Sequence, residues 1–114
     1  MESKELISSY DEINDTFVAK VCGKDGYCAN YELSQGIFLN VDGNSLPSSI
    51  QINGASDVLN VSKDLLEDPD VCILIKCNGD MIDFELSISS KKVYANTFFI
   101  TFDVSKFNYK IRTN

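Results

Sequence analysis

The sequence contains no histidine and no tryptophan, and only two prolines and six glycines in 114 residues. The missing histidine removes the commonest general base and metal ligand, and with it every Ser-His or Cys-His dyad. Phosphate-loop, dinucleotide and nucleophile-elbow signatures are lacking as well. Any catalysis would fall to carboxylates, Lys, Tyr or Cys. The expectation is a protein that is not an enzyme, with no catalytic residue, no cofactor and no metal. The low Pro and Gly content argues against a disordered chain. No apolar run approaches the roughly 20 residues that a membrane span needs. The opening "MESKELISSYDE" lacks the apolar stretch of a signal peptide. A cytoplasmic location without membrane contact is therefore expected, and thiols stay reduced there.

Basic residues are also scarce, ten against 17 acidic, for a net charge of −7. An acidic surface repels phosphates, so nucleic acid is not an expected partner. The densest basic group is Lys91-Lys92, followed by Lys106, Lys110 and Arg112, and reads as a solvated C-terminal end. The balance of 44% hydrophobic and 24% charged residues is that of one globular domain. A chain of this size buries about two-thirds of its unfolded surface, enough for a core without covalent staples.

Alternation dominates the pattern. Phe17, Ala19 and Val21 share one side of a first expected strand, residues 16–21. Tyr27, Ala29, Tyr31 and Leu33 alternate with Cys28, Asn30, Glu32 and Ser34. Ile37, Leu39 and Val41, then Ile50 and Ile52, continue that period of two, which puts one set of side chains on a core and the other in water. Asp25-Gly26 and Asp42-Gly43-Asn44 supply turns, the first expected to close a hairpin between the strands flanking it. Residues 54–70 lose the period. Val58, Leu59, Val61, Leu65 and Leu66 fit one or two short helices instead, and Pro69 ends them. Strands resume with the apolar residues 71–76, the hairpin dipeptide Asn78-Gly79, and the alternating Ile82, Phe84, Leu86 and Ile88. Residues 93–103 follow, and Phe107, Tyr109 and Ile111 close the series.

The expected fold is a single mostly-β α+β domain spanning 1–114. It comprises a first antiparallel meander at 10–53, a helical connector at 54–70 and a second meander at 71–112. Seven or eight strands would pack as a sandwich or half-open barrel. "CGKDGYCANYELS" and "CNGDMIDFELS" overlay at an offset of 53 from Leu33 to Leu86. That overlay suggests a pseudo-repeat, with two independent meanders as the alternative.

The N-terminal half resembles a known family. Tyr10-Asp11-Glu12 with Asp15, then Glu32, Gly36-Ile37, Leu39, Asp42-Gly43, Ile50-Gln51-Ile52 and Ala55-Ser56 are similar to the small prokaryotic domain of unknown function numbered 2283. The likeness covers residues 10–60. Pro47-Ser48-Ser49 stands where that family carries a Gly and an acidic residue, and the C-terminal half is an extension. The resemblance implies a meander followed by a short helix and assigns no activity. Some members sit beside toxin-like genes.

Cys22, Cys28, Cys72 and Cys77 are separated pairwise by five and by four residues. Zinc knuckles use about two to four intervening residues around a tight turn, which the first pair exceeds and which Cys72, inside an apolar strand, does not fit, so reduced thiols are the expectation, with Cys22 and Cys28 the pair best placed to oxidise. Cys72 reads as a small buried hydrophobe in its strand. Asp42-Gly43-Asn44 and Asp68/Asp70 lack the ligand pattern of a calcium loop. Asp11, Glu12 and Asp15 read as a solvated or capping cluster. Twelve aromatics form a surplus. Phe98, Phe99, Phe102 and Tyr109 are the candidate interaction surface, because Phe99 lies opposite Phe98 and needs cover of its own. Three function classes stay open: a protein-interaction module, self-associating or binding a protein partner; an antitoxin-like inhibitor of a small basic protein; and a small-molecule or ion-binding β domain.

Overall fold

The computed structural model describes residues 1–24, 26–101 and 104–113. Nine strands run in the order β1 Glu2–Asp11, β2 Thr16–Val21, β3 Ala29–Ser34, β4 Ile37–Val41, β5 Pro47–Asn53, β6 Val71–Cys77, β7 Met81–Ile88, β8 Lys91–Phe99 and β9 Phe107–Arg112. Between β5 and β6 lie α1, Ala55–Leu59, and a 3₁₀ turn, Lys63–Leu66. Strands take 58% of the chain and helices 8%, so the protein is mostly β. Among the described residues no helix is long and apolar enough to cross a membrane.

The strands form one nearly closed, barrel-like sheet in the order β3-β4-β5-β2-β1-β9-β6-β7-β8. All neighbours are antiparallel except β1 and β9. β1 joins the two halves. Its residues 2–5 pair with β9, and its residues 6–11 pair with β2.

This topology corrects the sequence reading at two points and agrees with it at a third. The first strand is β1, which composition hides. Leu6 is buried, but the other inward positions of β1 are Lys4, Ser8 and Tyr10, all half-buried. Next, β2 and β3 do not form a hairpin. β2 pairs with β5, where Phe17 and Ala19 face Ile52 and Ile50 across the ladder. Of the expected turn, Asp25 lies outside the described residues, and Gly26 sits at φ 69°. Finally, the counterpart Asn78-Gly79 does close the β6–β7 hairpin, with Asn78 Oδ1 accepting from the Asp80 and Met81 N–H groups. The two overlaid segments therefore play different topological roles.

The core is the barrel interior. Along β2, β4, β5, β6, β7 and β9 the inward apolar side chains are buried, and they join Ala55, Leu59 and Leu66 of the connector in one cluster. The connector sits at the end of the sheet where the β1–β2 and β3–β4 turns lie. The Ala55 N–H donates to the Asp15 carbonyl, and the Asn53 N–H to that of Gly36. At the opposite end the Ser105 N–H and hydroxyl donate to the Ser45 and Asn44 carbonyls, tying the β8–β9 loop to the β4–β5 turn. Both ends are thus tied, while among the described residues β3 and β8 each keep one edge without a neighbouring strand.

Candidate functional site

The two free edges coincide with the least covered part of the core. Ala29 and Tyr31 on β3 face Val41 and Leu39, so they point inward, yet both are only half-buried. On β8, Tyr94 faces Leu86 and is half-buried, and Asn96 is exposed. The Phe84 and Tyr94 rings meet edge-on at 5.9 Å, linking β8 to the core. A sheet edge offers a row of unpaired N–H and C=O groups to any incoming strand.

Among the described residues the expected aromatic surface contracts to Phe99. Phe99 is 81% exposed beside the β8 edge, without internal cover. Phe98 and Tyr109 are buried, 6% and 5% exposed, because they occupy inward positions opposite Ile82 and Ile75. Neither side chain is available to a partner. Phe102 lies outside the described residues.

A second cluster joins residues far apart in sequence. Tyr10 donates its hydroxyl to Asp15 Oδ1 at 2.6 Å. Asp15 Oδ2 accepts the Ser56 hydroxyl at 2.7 Å, and both carboxylate oxygens take the Ser56 N–H at 3.1 and 3.2 Å. Gly54, at the N-cap of α1, has no side chain to offer, so Asp15 supplies the cap from 41 residues away. Burial pushes the Asp15 carboxyl up, but the Tyr10 and Ser56 donors outweigh it and hold it below the ordinary 3.8. Burial, and then the Asp15 carboxylate, push the Tyr10 hydroxyl well above its ordinary value, so it stays a donor.

The stability linked to Asp15 is complete above pH 3.8 and is lost as pH falls through the lower folded value. Replacing Asp15 by Ala is expected to cost roughly 1–2 kcal/mol near neutrality, the range for a lost cap. Melting wild type and variant from pH 7 downward checks this. The difference should shrink below about pH 4, and a constant difference would remove the carboxylate from the account.

The other polar candidates serve structure. Asp42 Oδ1 accepts the N–H groups of Asn44 and Leu46 and so builds the β4–β5 turn. Its Oδ2 meets Lys24 Nζ at 2.6 Å. That lysine, more than the turn amides, holds the carboxyl below its ordinary value against burial. Asp11 caps its own turn through the Ile13 and Asn14 N–H groups. Buried Asn40 accepts from Asn30 and donates to Ser49, bridging β3, β4 and β5 on the outer face. Among the described residues no three His, Cys, Asp or Glu side chains converge on a metal position.

All four cysteines are free. Cys22 and Cys28 are not the pair that the loop suggests. The Cys22 N–H bonds β1 at Glu5 and the Cys28 N–H bonds β4 at Val41. β5 and β4 stand between β2 and β3. Three strand spacings amount to about 14 Å, against a Cα–Cα limit of about 7 Å for a disulfide. Cys77 is the buried cysteine of β6, and Cys72 is half-exposed on its outer face.

Beyond the edges, a shallow depression of about 730 Å³ lies on the outer face of β6–β8. It presents Lys76, Asp83 and Glu85 together, with Thr97 already donating to Asp83 at 2.8 Å. No protein-family model, curated protein or solved structure matches the chain significantly. The sheet edges and surface clefts therefore carry the functional argument alone.

Proposed function

We propose that the chain is a non-enzymatic interaction module that self-associates by pairing β8 with β8 of a second copy. The observation that carries this is an open nine-residue edge strand with Phe99 81% exposed beside it. Charge supports a second copy as the occupant. The chain is at −7, yet β8 contains no Asp or Glu, whereas the β3 edge carries Glu32. An antiparallel register centred on Ala95 sets Lys91 against Phe99 and Val93 against Thr97, with the two Lys91-Lys92 pairs at opposite ends. Pairing would also cover Tyr94 and Asn96, the inward positions that the free edge leaves uncovered. A link to the family numbered 2283 would leave this reading unchanged, since the family implies no activity.

One strand pair is at the small end of stable interfaces, so a concentration-dependent dimer is expected. Light scattering coupled to size exclusion, run across a wide concentration range, tests it. Ala95 is exposed and faces its own copy in this register, so Ala95→Glu leaves the buried core untouched while placing like charges opposite each other. This variant should stay monomeric where wild type dimerises. A wild type that is monomeric throughout sinks the reading.

A further inference from the structure

We propose that the cleft between the connector and the β7–β8 turn binds an amphipathic anion with a single apolar chain, of the fatty-carboxylate class. The cleft measures about 530 Å³, within the range of about 300–1,000 Å³ usual for small-molecule sites. Its walls are Leu59, Val61 and Leu65 from the connector and Ile88 and Val93 from the hairpin. The 3₁₀ turn places its two leucines differently. Leu66 is fully buried and anchors the segment, while Leu65 is 46% exposed and lines the cleft.

Charge sets the class of ligand. Among the described residues no carboxylate lines the cleft, although the chain has 17 acidic residues; the remaining neutral lining groups are Asn60, Ser62 and Ser89. Two lysines stand at its rim. Lys92 is held by Glu85 at 2.6 Å. Lys91 has no ion pair among the described residues and is exposed. An apolar trough with one uncompensated cation at its mouth complements a chain that is apolar along its length and negative at one end. A cationic amphiphile would meet Lys91 with like charge. Backbone geometry fixes the walls: Asn60 and Ser89 hold φ values of 53° and 52°, and the Ser89 N–H is tied to the Asp70 carbonyl at 2.8 Å.

The test titrates the full chain with decanoate below its micelle concentration, following amide NMR shifts, with decyltrimethylammonium in parallel. Saturable one-to-one decanoate binding is expected, with shifts at residues 59–65 and 88–93. Lys91→Glu and Leu65→Asp should each weaken it by about tenfold or more. Both positions are exposed, so melting curves close to wild type will separate lost binding from lost folding. Ala95→Glu lies outside the cleft and should bind decanoate normally, which keeps this outcome distinct from the failure of β8 pairing. No saturable binding, equal binding of the cationic chain, or unchanged affinity in either cleft variant overturns the proposal.

Discussion

Replacing Phe84 by alanine is expected to lower stability by about 3–5 kcal/mol, a large part of the roughly 5–15 kcal/mol available to a whole domain. Phe84 is 2% exposed at the middle of β7, between Ile75 on β6 and Asn96 on β8. Its ring is the edge-on partner of Tyr94. Removing it opens a cavity that β6 and β7 cannot close without leaving their ladder, and it withdraws the packing that seats β8. Phe99→Ala removes the same atoms from an 81% exposed position and should change stability by no more than about 0.5 kcal/mol. Denaturant titrations of both variants give the comparison. Equal losses would mean that the Phe84 ring does not pack as described.

The contrast between Phe84 and Phe99 also marks how far the sequence is legible. Alternation identifies β2, β4, β5, β7 and β9 because each places apolar side chains in the barrel and mostly polar ones outside, while β6 is read from its unbroken apolar run, of which Cys72 and Leu74 face outward and are half-buried. It separates Phe98 from Phe99, but the surplus of aromatics does not say which of them reaches solvent. Burial decides that, and it takes Phe98 and Tyr109 out of the expected surface. β1 escapes because it is held by backbone pairing on both flanks, while Lys4, Ser8 and Tyr10 fill inward positions that the barrel covers only in part. Nothing local requires apolar residues there.

Turn chemistry shows the same limit. A Gly at positive φ reports that the chain reverses, not that its flanks pair. After Asn78-Gly79 the flanks do pair, whereas after Gly26 the chain leads into β3, which pairs with β4. The register of β2 is set by Phe17 and Ala19 against Ile52 and Ile50, more than thirty residues away, where no turn rule reaches. The Tyr10–Asp15–Ser56 cap is hidden for the same reason. Each residue has an ordinary local reading, and the cap exists because the β1–β2 turn and α1 meet at one end of the sheet.

Replacing Gly36 by alanine is expected to cost roughly 3 kcal/mol, from left-handed strain and overpacking together. Gly36 sits at φ 85°, and an added Cβ would lie 2.7 Å from the Asn53 carbonyl oxygen and 3.2 Å from Val58 Cγ2. The backbone cannot give way freely there, because the Asn53 N–H already donates to the Gly36 carbonyl at 2.8 Å. Two other glycines separate the causes. Gly54 has φ 64° with nothing within 4 Å of the added carbon, so Gly54→Ala should show strain alone, about 1–2 kcal/mol. Gly43 has an ordinary φ and meets only Cys28 Sγ at 3.7 Å, so Gly43→Ala should be neutral or stabilising by up to about 1 kcal/mol. Chemical denaturation of the three variants should rank them in that order, and a Gly36→Ala no worse than Gly54→Ala would refute the close contact. Gly36 joins β3 to β4, on the side of the opening away from β8. Gly36→Ala should therefore loosen the β3 edge and still dimerise below its unfolding transition, whereas Ala95→Glu should do the reverse. That opposite pairing of stability and assembly assigns the interface to β8 and not to the other free edge.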